Sequence, residues 1–143
     1  MQESSKQDTM KTGSDIKCFR DLIVWQKANV MFNMVIEDID KNPKNFISRI
    51  IYEQLLRSVC SVSANIAEGF GSGYTQEFIH SLRIARKENS ESLNWIIKCN
   101  DIKLISSLRF DQYDKLIEEI RLMINSLLQK LKAKKILHHS FTS

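Results

Sequence analysis

Between Asp21 and Lys41, apolar residues recur at Leu22, Trp25, Ala28, Phe32, Val35 or Ile36, and Ile39. This three-and-four spacing places side chains on one face of an α-helix, with Asp21 as a plausible N-cap. A second set, Ile23, Val30 and Met34, points elsewhere on the same helix. An ordinary surface helix carries one apolar stripe, so the second predicts packing on two sides and makes these three residues candidates for an oligomer interface. The helix is expected to stop where Asn42 meets Pro43, because the ring disfavours helical geometry in the preceding residue. A second helix, over about 44–70, repeats apolar residues at Ile47, Ile51, Leu55, Val59, Val62 and Ile66. Its later half is crowded with small residues (Ser58, Ser61, Ser63, Ala64, Ala67), which lets a neighbouring helix approach closely. Arg57, Ser61, Asn65 and Glu68 form a polar stripe beside the apolar one.

The run from Gly69 through Gly71 to Gly73 predicts a tight reversal, since glycine takes up the left-handed conformation of a helix C-terminus without a Cβ clash. A third helix, about 74–104, offers Phe78, Leu82, Ala85, Leu93, Ile96 and Ile97 as core, but Lys87 to Ser92 is polar for its middle and marks a candidate kink. A fourth, about 111–135, carries Tyr113, Leu116, Ile117, Ile120, Met123, Ile124, Leu127, Leu128 and Leu131 on a broad stripe of nearly heptad period. Four amphipathic helices with short connections predict an all-α fold, an antiparallel up-down-up-down four-helix bundle over residues 19–135. Loose tails are expected at 1–18 and 136–143.

Composition narrows this without changing it. The length of 143 residues suits one domain, and a single Pro with four Gly leaves long stretches free of helix breakers. The first seventeen residues contain no apolar signal segment, and no run approaches the ~18 apolar residues of a membrane span, so a cytoplasmic protein is expected. Cys18, Cys60 and Cys99 are odd in number and widely spaced, as reduced thiols would be. The net charge of +4 is unevenly placed: after Glu119 come Arg121, Lys130, Lys132, Lys134 and Lys135 with no acid among them.

Glu77-Phe-Ile-His80 resembles half of a di-iron motif, but such sites need the pair twice, plus a Glu from each of two other helices. The remaining histidines, His138 and His139, lie in the tail, so no metal and no cofactor are expected. Gly69-x-Gly71-x-Gly73 follows a helix and lacks the Lys-Ser/Thr pair of a phosphate loop. His80 is the only histidine outside the tail, and no triad can be assembled around it. The expectation is a protein with no catalytic residues. What remains is surface recognition: Arg83, Arg86 and Lys87 on one face of the third helix, with Lys130, Lys132, Lys134 and Lys135, suit contacts to phosphates. The bland alternative is that Lys87 pairs with Glu91 and the terminal lysines complement the helix dipole. Aromatic residues do not alternate with the basic ones, so base stacking is not indicated.

Three stretches together carry a resemblance: Phe19-Arg-Asp-Leu-Ile-Val-Trp25-Gln-Lys-Ala28, then Ser61-Val-Ser-Ala-Asn65-Ile-Ala-Glu68-Gly69-Phe-Gly71, then Glu77-Phe-Ile-His-Ser-Leu82 continuing to Glu91 and Trp95. In this order the chain resembles, over residues 19–131, the four-helix-bundle proteins encoded in intervening sequences of bacterial 23S rRNA genes. The resemblance implies a homo-oligomer, typically a pentameric ring, associated with RNA or DNA. It also implies kinship with accessory proteins of diversity-generating retroelements, which bind a reverse transcriptase and nucleic acid through a basic surface. On this reading Asn65 and Glu68 are structural motif residues, Gly69 terminates a helix, and no catalytic role follows. The chain departs from the family in having Ser63 where Pro is frequent, and Tyr74 where Ser is. A Ser there can form a capping box with Glu77; Tyr cannot. The function expected is a non-enzymatic, oligomeric, nucleic-acid-associated bundle, with a protein-binding accessory subunit as the alternative.

Overall fold

A computed structural model describes residues 15–42 and 44–142, with side chains through residue 136. It contains helices α1 (Ile23–Lys41), α2 (Phe46–Gly71), α3 (Thr75–Asp101) and α4 (Ser107–Thr142), with a 3-10 turn at Phe19–Asp21 directly before α1. The expectations about Pro43 and residues 1–14 concern positions outside the described residues. α2 starts with a capping box: the Ser48 N–H donates to Asn45 Oδ1 (2.9 Å), and the Asn45 N–H donates back to Ser48 Oγ (3.2 Å). α4 begins earlier than the expected Asp111, because Ser106 Oγ accepts the Arg109 N–H (3.1 Å) and caps the helix at Ser107. It also runs past Lys135 to Thr142, with no Gly or Pro to interrupt it.

Paired side chains fix the directions. Down α2 and up α3 lie Arg57 with Glu91 and Ser58 with Ser92 (2.9 Å), then Gly69 against Ser81. Between α3 and α4 the sequence is Gln76 with Lys135, Arg86 with Asn125 (3.0 Å), and Asn89 with the Ile117 carbonyl (3.0 Å). Lys27 with Glu119 (2.7 Å) and Asp38 with Arg109 (3.1 Å) join α1 to α4. From the Arg57–Ser58 level to Gly69, and along the α3–α4 and α1–α4 pairs, one number rises as the other falls, so these neighbouring helices run antiparallel, as an up-down bundle requires.

The core is set by Leu55, Val59, Val62 and Ile66 of α2, Leu82, Ala85 and Ile96 of α3, and Tyr113, Ile120 and Ile124 of α4. On α1 the buried face is Val24, Ala28, Met31, Val35 and Asp38, rotated from the expected stripe, so that Trp25 and Phe32 are only half-buried. A buried carboxylate at the end of the stripe conceals its phase from a hydrophobicity pattern. Ile47 and Ile97, expected in the core, are exposed.

The polar stretch of α3 does not interrupt it. Asn89 and Ser92 point into the bundle: the Asn89 Nδ2 donates to the Ile117 carbonyl, while its Oδ1 is buried without a partner among the described residues, and the Ser92 hydroxyl donates to Ser58 Oγ, whose own proton goes to the Leu55 carbonyl (2.9 Å). Buried polar groups are tolerated when paired in this way. Gly69 does not terminate α2, which continues to Gly71; the left-handed residue is Gly73, at φ 75°. A Cβ at Gly69 would lie 2.5 Å from Ser81 Cβ, so this glycine permits close approach of α2 and α3.

Candidate functional site

The seven candidate basic contacts do not form one stripe. Arg83 and Lys87 are exposed on α3, whereas Arg86 turns toward α4 and donates from Nη1 to Asn125 Oδ1. Lys135 donates to Gln76 in the first turn of α3. Lys134 lies over the α2–α3 turn, where it lines a cavity with Phe70, Tyr74, Phe78 and Leu131. Lys130 lines a groove beside Leu22 and Ile23 on the α1 side, and Lys132 is exposed. The lysines therefore surround α4 between Lys130 and Lys135, before its final residues, at the end of the bundle that also holds the α2–α3 turn. The cavity there was missed by sequence reasoning, because its aromatic and basic residues are remote in the chain and no local pattern joins them.

The motif residues have separate structural settings. Asn65 Nδ2 donates to the Ser61 carbonyl (2.8 Å) and to Ser61 Oγ (3.1 Å), binding back onto its own helix. Glu68 is exposed, and Gly69 is buried against α3. Glu77 and His80 are both exposed near the start of α3, and among the described residues no cluster of three or more His, Cys, Asp or Glu is placed to hold a metal.

The opposite end of the bundle is held by a buried ionic cluster. Arg109 Nε donates to both carboxylate oxygens of Asp38 (3.2 and 3.1 Å), and its Nη2 donates to the Met34 carbonyl and to Glu37 (both 3.2 Å). The Tyr113 hydroxyl also donates to Asp38. Burial raises the Tyr113 pKa well above the usual phenol range, and its bond to the Asp38 carboxylate raises it further. Burial pushes the neighbouring Cys99 thiol up to about 12, with the Asp38 charge acting in the same direction, so Cys99 is an inert core residue and not a nucleophile.

Midway along the outside of α2 and α3, Arg57 pairs with Glu91, which also accepts from Trp95 Nε1 (3.3 Å). Glu88 lies beside them with its Oε2 3.9 Å from the Arg57 guanidinium. Burial raises the Glu88 pKa, the Glu91 carboxylate raises it further, and Arg57 and Lys87 oppose the shift only in part. A carboxyl whose folded-state pKa is raised contributes stability below the unfolded pKa and loses it as pH rises through the folded value. Glu88→Gln is therefore expected to be more stable than the parent at neutral pH, with the difference vanishing near about pH 4. Thermal unfolding at the two pH values checks this, and a variant less stable at both would contradict it.

Of the candidate interface residues, Ile23 is 49% and Val30 50% exposed, while Met34 is half-buried against the core. A second exposed apolar group, Phe46, Ile47 and Ile50, lies in the first turns of α2, at the end of the bundle away from the lysines, and Leu108 is exposed at the start of α4. The group on α2 escaped the sequence reading because Ile47 continues the spacing of the core stripe. Among the described residues, no helix is long and apolar enough to cross a membrane.

Comparisons with known proteins agree with this architecture. A crystal structure at 1.70 Å resolution of a protein of unknown function from the S23 ribosomal protein family of Bacteroides thetaiotaomicron VPI-5482 superposes with a TM-score of 0.66. The two share 24% identity over 74% of this chain and 98% of that one, a likeness that speaks to the fold alone. No curated protein matches the sequence. The sequence model described as 23S rRNA-intervening sequence protein matches residues 20–126, most of the bundle, and the chain therefore belongs to the family of 23S rRNA-intervening sequence proteins.

Proposed function

We propose that this chain is a non-enzymatic, cytoplasmic, homo-oligomeric bundle that associates with RNA or other nucleic acid through the basic end of α4. The observation that carries this reading is the run of charge there: Lys130, Lys132, Lys134 and Lys135 lie within two turns of a helix that holds no acid after Glu119. Such a cluster binds phosphates and releases their counterions, a sequence-independent attraction. Arg83 and Lys87, exposed on α3, are further cations for a bound polyanion. The exposed Ile23 and Val30 support self-association, with a pentameric ring as the form the family resemblance implies. A second reading, a protein-binding accessory subunit such as a partner of a reverse transcriptase, is favoured by the exposed Phe46, Ile47, Ile50 and Leu108 at the other end.

Titration of labelled RNA at several salt concentrations tests the first reading. Log affinity is expected to fall linearly with log salt, by about 0.7 of a slope unit per phosphate contacted on a single strand. Changing the four lysines to glutamine should weaken binding and flatten the slope. No binding even at low salt, or an unaltered slope in the variant, would count against it.

A further inference from the structure

The cavity beside the α2–α3 turn has a volume of about 300 Å³, at the small end of ligand pockets. Among the described residues its lining combines three aromatic rings, Leu131 and Lys134, and contains no carboxylate. Phe70 and Phe78 meet edge to face, with centroids 5.8 Å apart at 83°, and form a fixed apolar wall. Tyr74 differs from both. It is 69% exposed, so the core does not account for its ring, and it occupies the N-cap of α3 without making a side-chain cap. Ser, Thr, Asp or Asn would serve that position better, so helix capping does not account for it either. Its backbone is nevertheless held: its N–H donates to Ser72 Oγ (3.2 Å) and its carbonyl accepts the Phe78 N–H (3.0 Å). The bond from Lys135 to Gln76 ties the overhanging end of α4 to the same turn and keeps Lys134 beside the aromatic residues.

We propose that this cavity takes one unpaired nucleotide of a single-stranded nucleic acid, its base stacked on the Tyr74 ring and its phosphate paired with Lys134. The inference rests on the nucleic-acid reading above and narrows it to single strands. Charge complementarity selects the occupant: Lys134 in the cavity, with the other lysines along α4, calls for a polyanion, and the exposed aromatic ring beside Lys134 calls for a flat ring. An acidic peptide would satisfy the lysines and leave Tyr74 without a partner. Stacking of this kind tolerates any base, since every base has a π-face. The aromatic and basic residues that sequence reasoning found unmixed are thus brought together by the fold.

Anisotropy titrations of the full chain at low salt test the proposal, using a labelled single-stranded RNA, the same strand as a duplex, and the same strand with abasic positions. Tyr74→Ala is expected to weaken single-strand binding by at least about fivefold and leave duplex binding unchanged, while Tyr74→Trp retains it. Because Tyr74 is exposed, both variants should unfold at the parent's temperature. Equal single-strand affinity of Tyr74→Ala and parent, or equal binding of abasic and intact strands, would overturn this inference and leave the broader reading intact. A poly-aspartate peptide that competes as well as the oligonucleotide would also overturn it. Failure of every nucleic acid to bind would remove both readings.

Discussion

Gly69→Ala is expected to destabilise the bundle by about 1–3 kcal/mol, the usual cost of forcing extra volume into a packed interface. At most helical positions the same change would stabilise, by roughly 0.5–1 kcal/mol, because glycine loses the most backbone entropy on folding. Here the new methyl would sit 2.5 Å from Ser81 Cβ, 3.0 Å from Ser81 Oγ and 3.0 Å from Phe78 Cδ2. The first is fixed to the α3 backbone and cannot swing aside, so the helices must separate. Thermal unfolding should show a loss of several degrees. In a Ser81→Gly background the clash disappears, and Gly69→Ala should become close to neutral or stabilising. A glycine needed only to end a helix would show no dependence on Ser81. The cycle therefore separates close packing from helix termination, the role that the family resemblance implies.

The second large effect concerns the ionic cluster at the far end. Asp38→Ala is expected to cost roughly 3 kcal/mol, the low end of the range for breaking a buried pair, because Arg109 keeps its bonds to Glu37 and the Met34 carbonyl. The loss arises from what is left behind: a guanidinium with little solvent access and a buried Tyr113 hydroxyl without its acceptor. Tyr113→Phe removes one donor and leaves the ion pair intact, so its cost should be only about 1 kcal/mol. Urea unfolding measures both. If Asp38→Ala costs no more than Tyr113→Phe, the cluster does not tie α1 to α4 as the geometry implies.

The fold was legible because four stretches of helical period are joined by connections too short for anything but antiparallel neighbours, and no proline or glycine interrupts α3 or α4. What escaped the sequence has a common cause, residues whose role is set by a partner remote in the chain. Asp38 reads as an ordinary surface acid until Arg109 and Tyr113 are placed against it. Asn89 and Ser92 suggest a kink until the Ile117 carbonyl and Ser58 supply their hydrogen bonds. Gly69 reads as part of a turn until Ser81 is seen facing it. Tyr74 and Lys134, which line one cavity, are separated by all of α3 and most of α4. Periodicity reports which face a residue is on, but not what waits opposite.

The proposed function has two parts, assembly of the bundle with copies of itself and nucleic acid held at its basic side. The most direct test is native mass measurement of the protein isolated from its own host, before and after nuclease treatment. An integral multiple of the chain mass, carrying nucleic acid that nuclease or high salt removes, is the predicted result. A bare monomer, or a complex unaltered by either treatment, would contradict it.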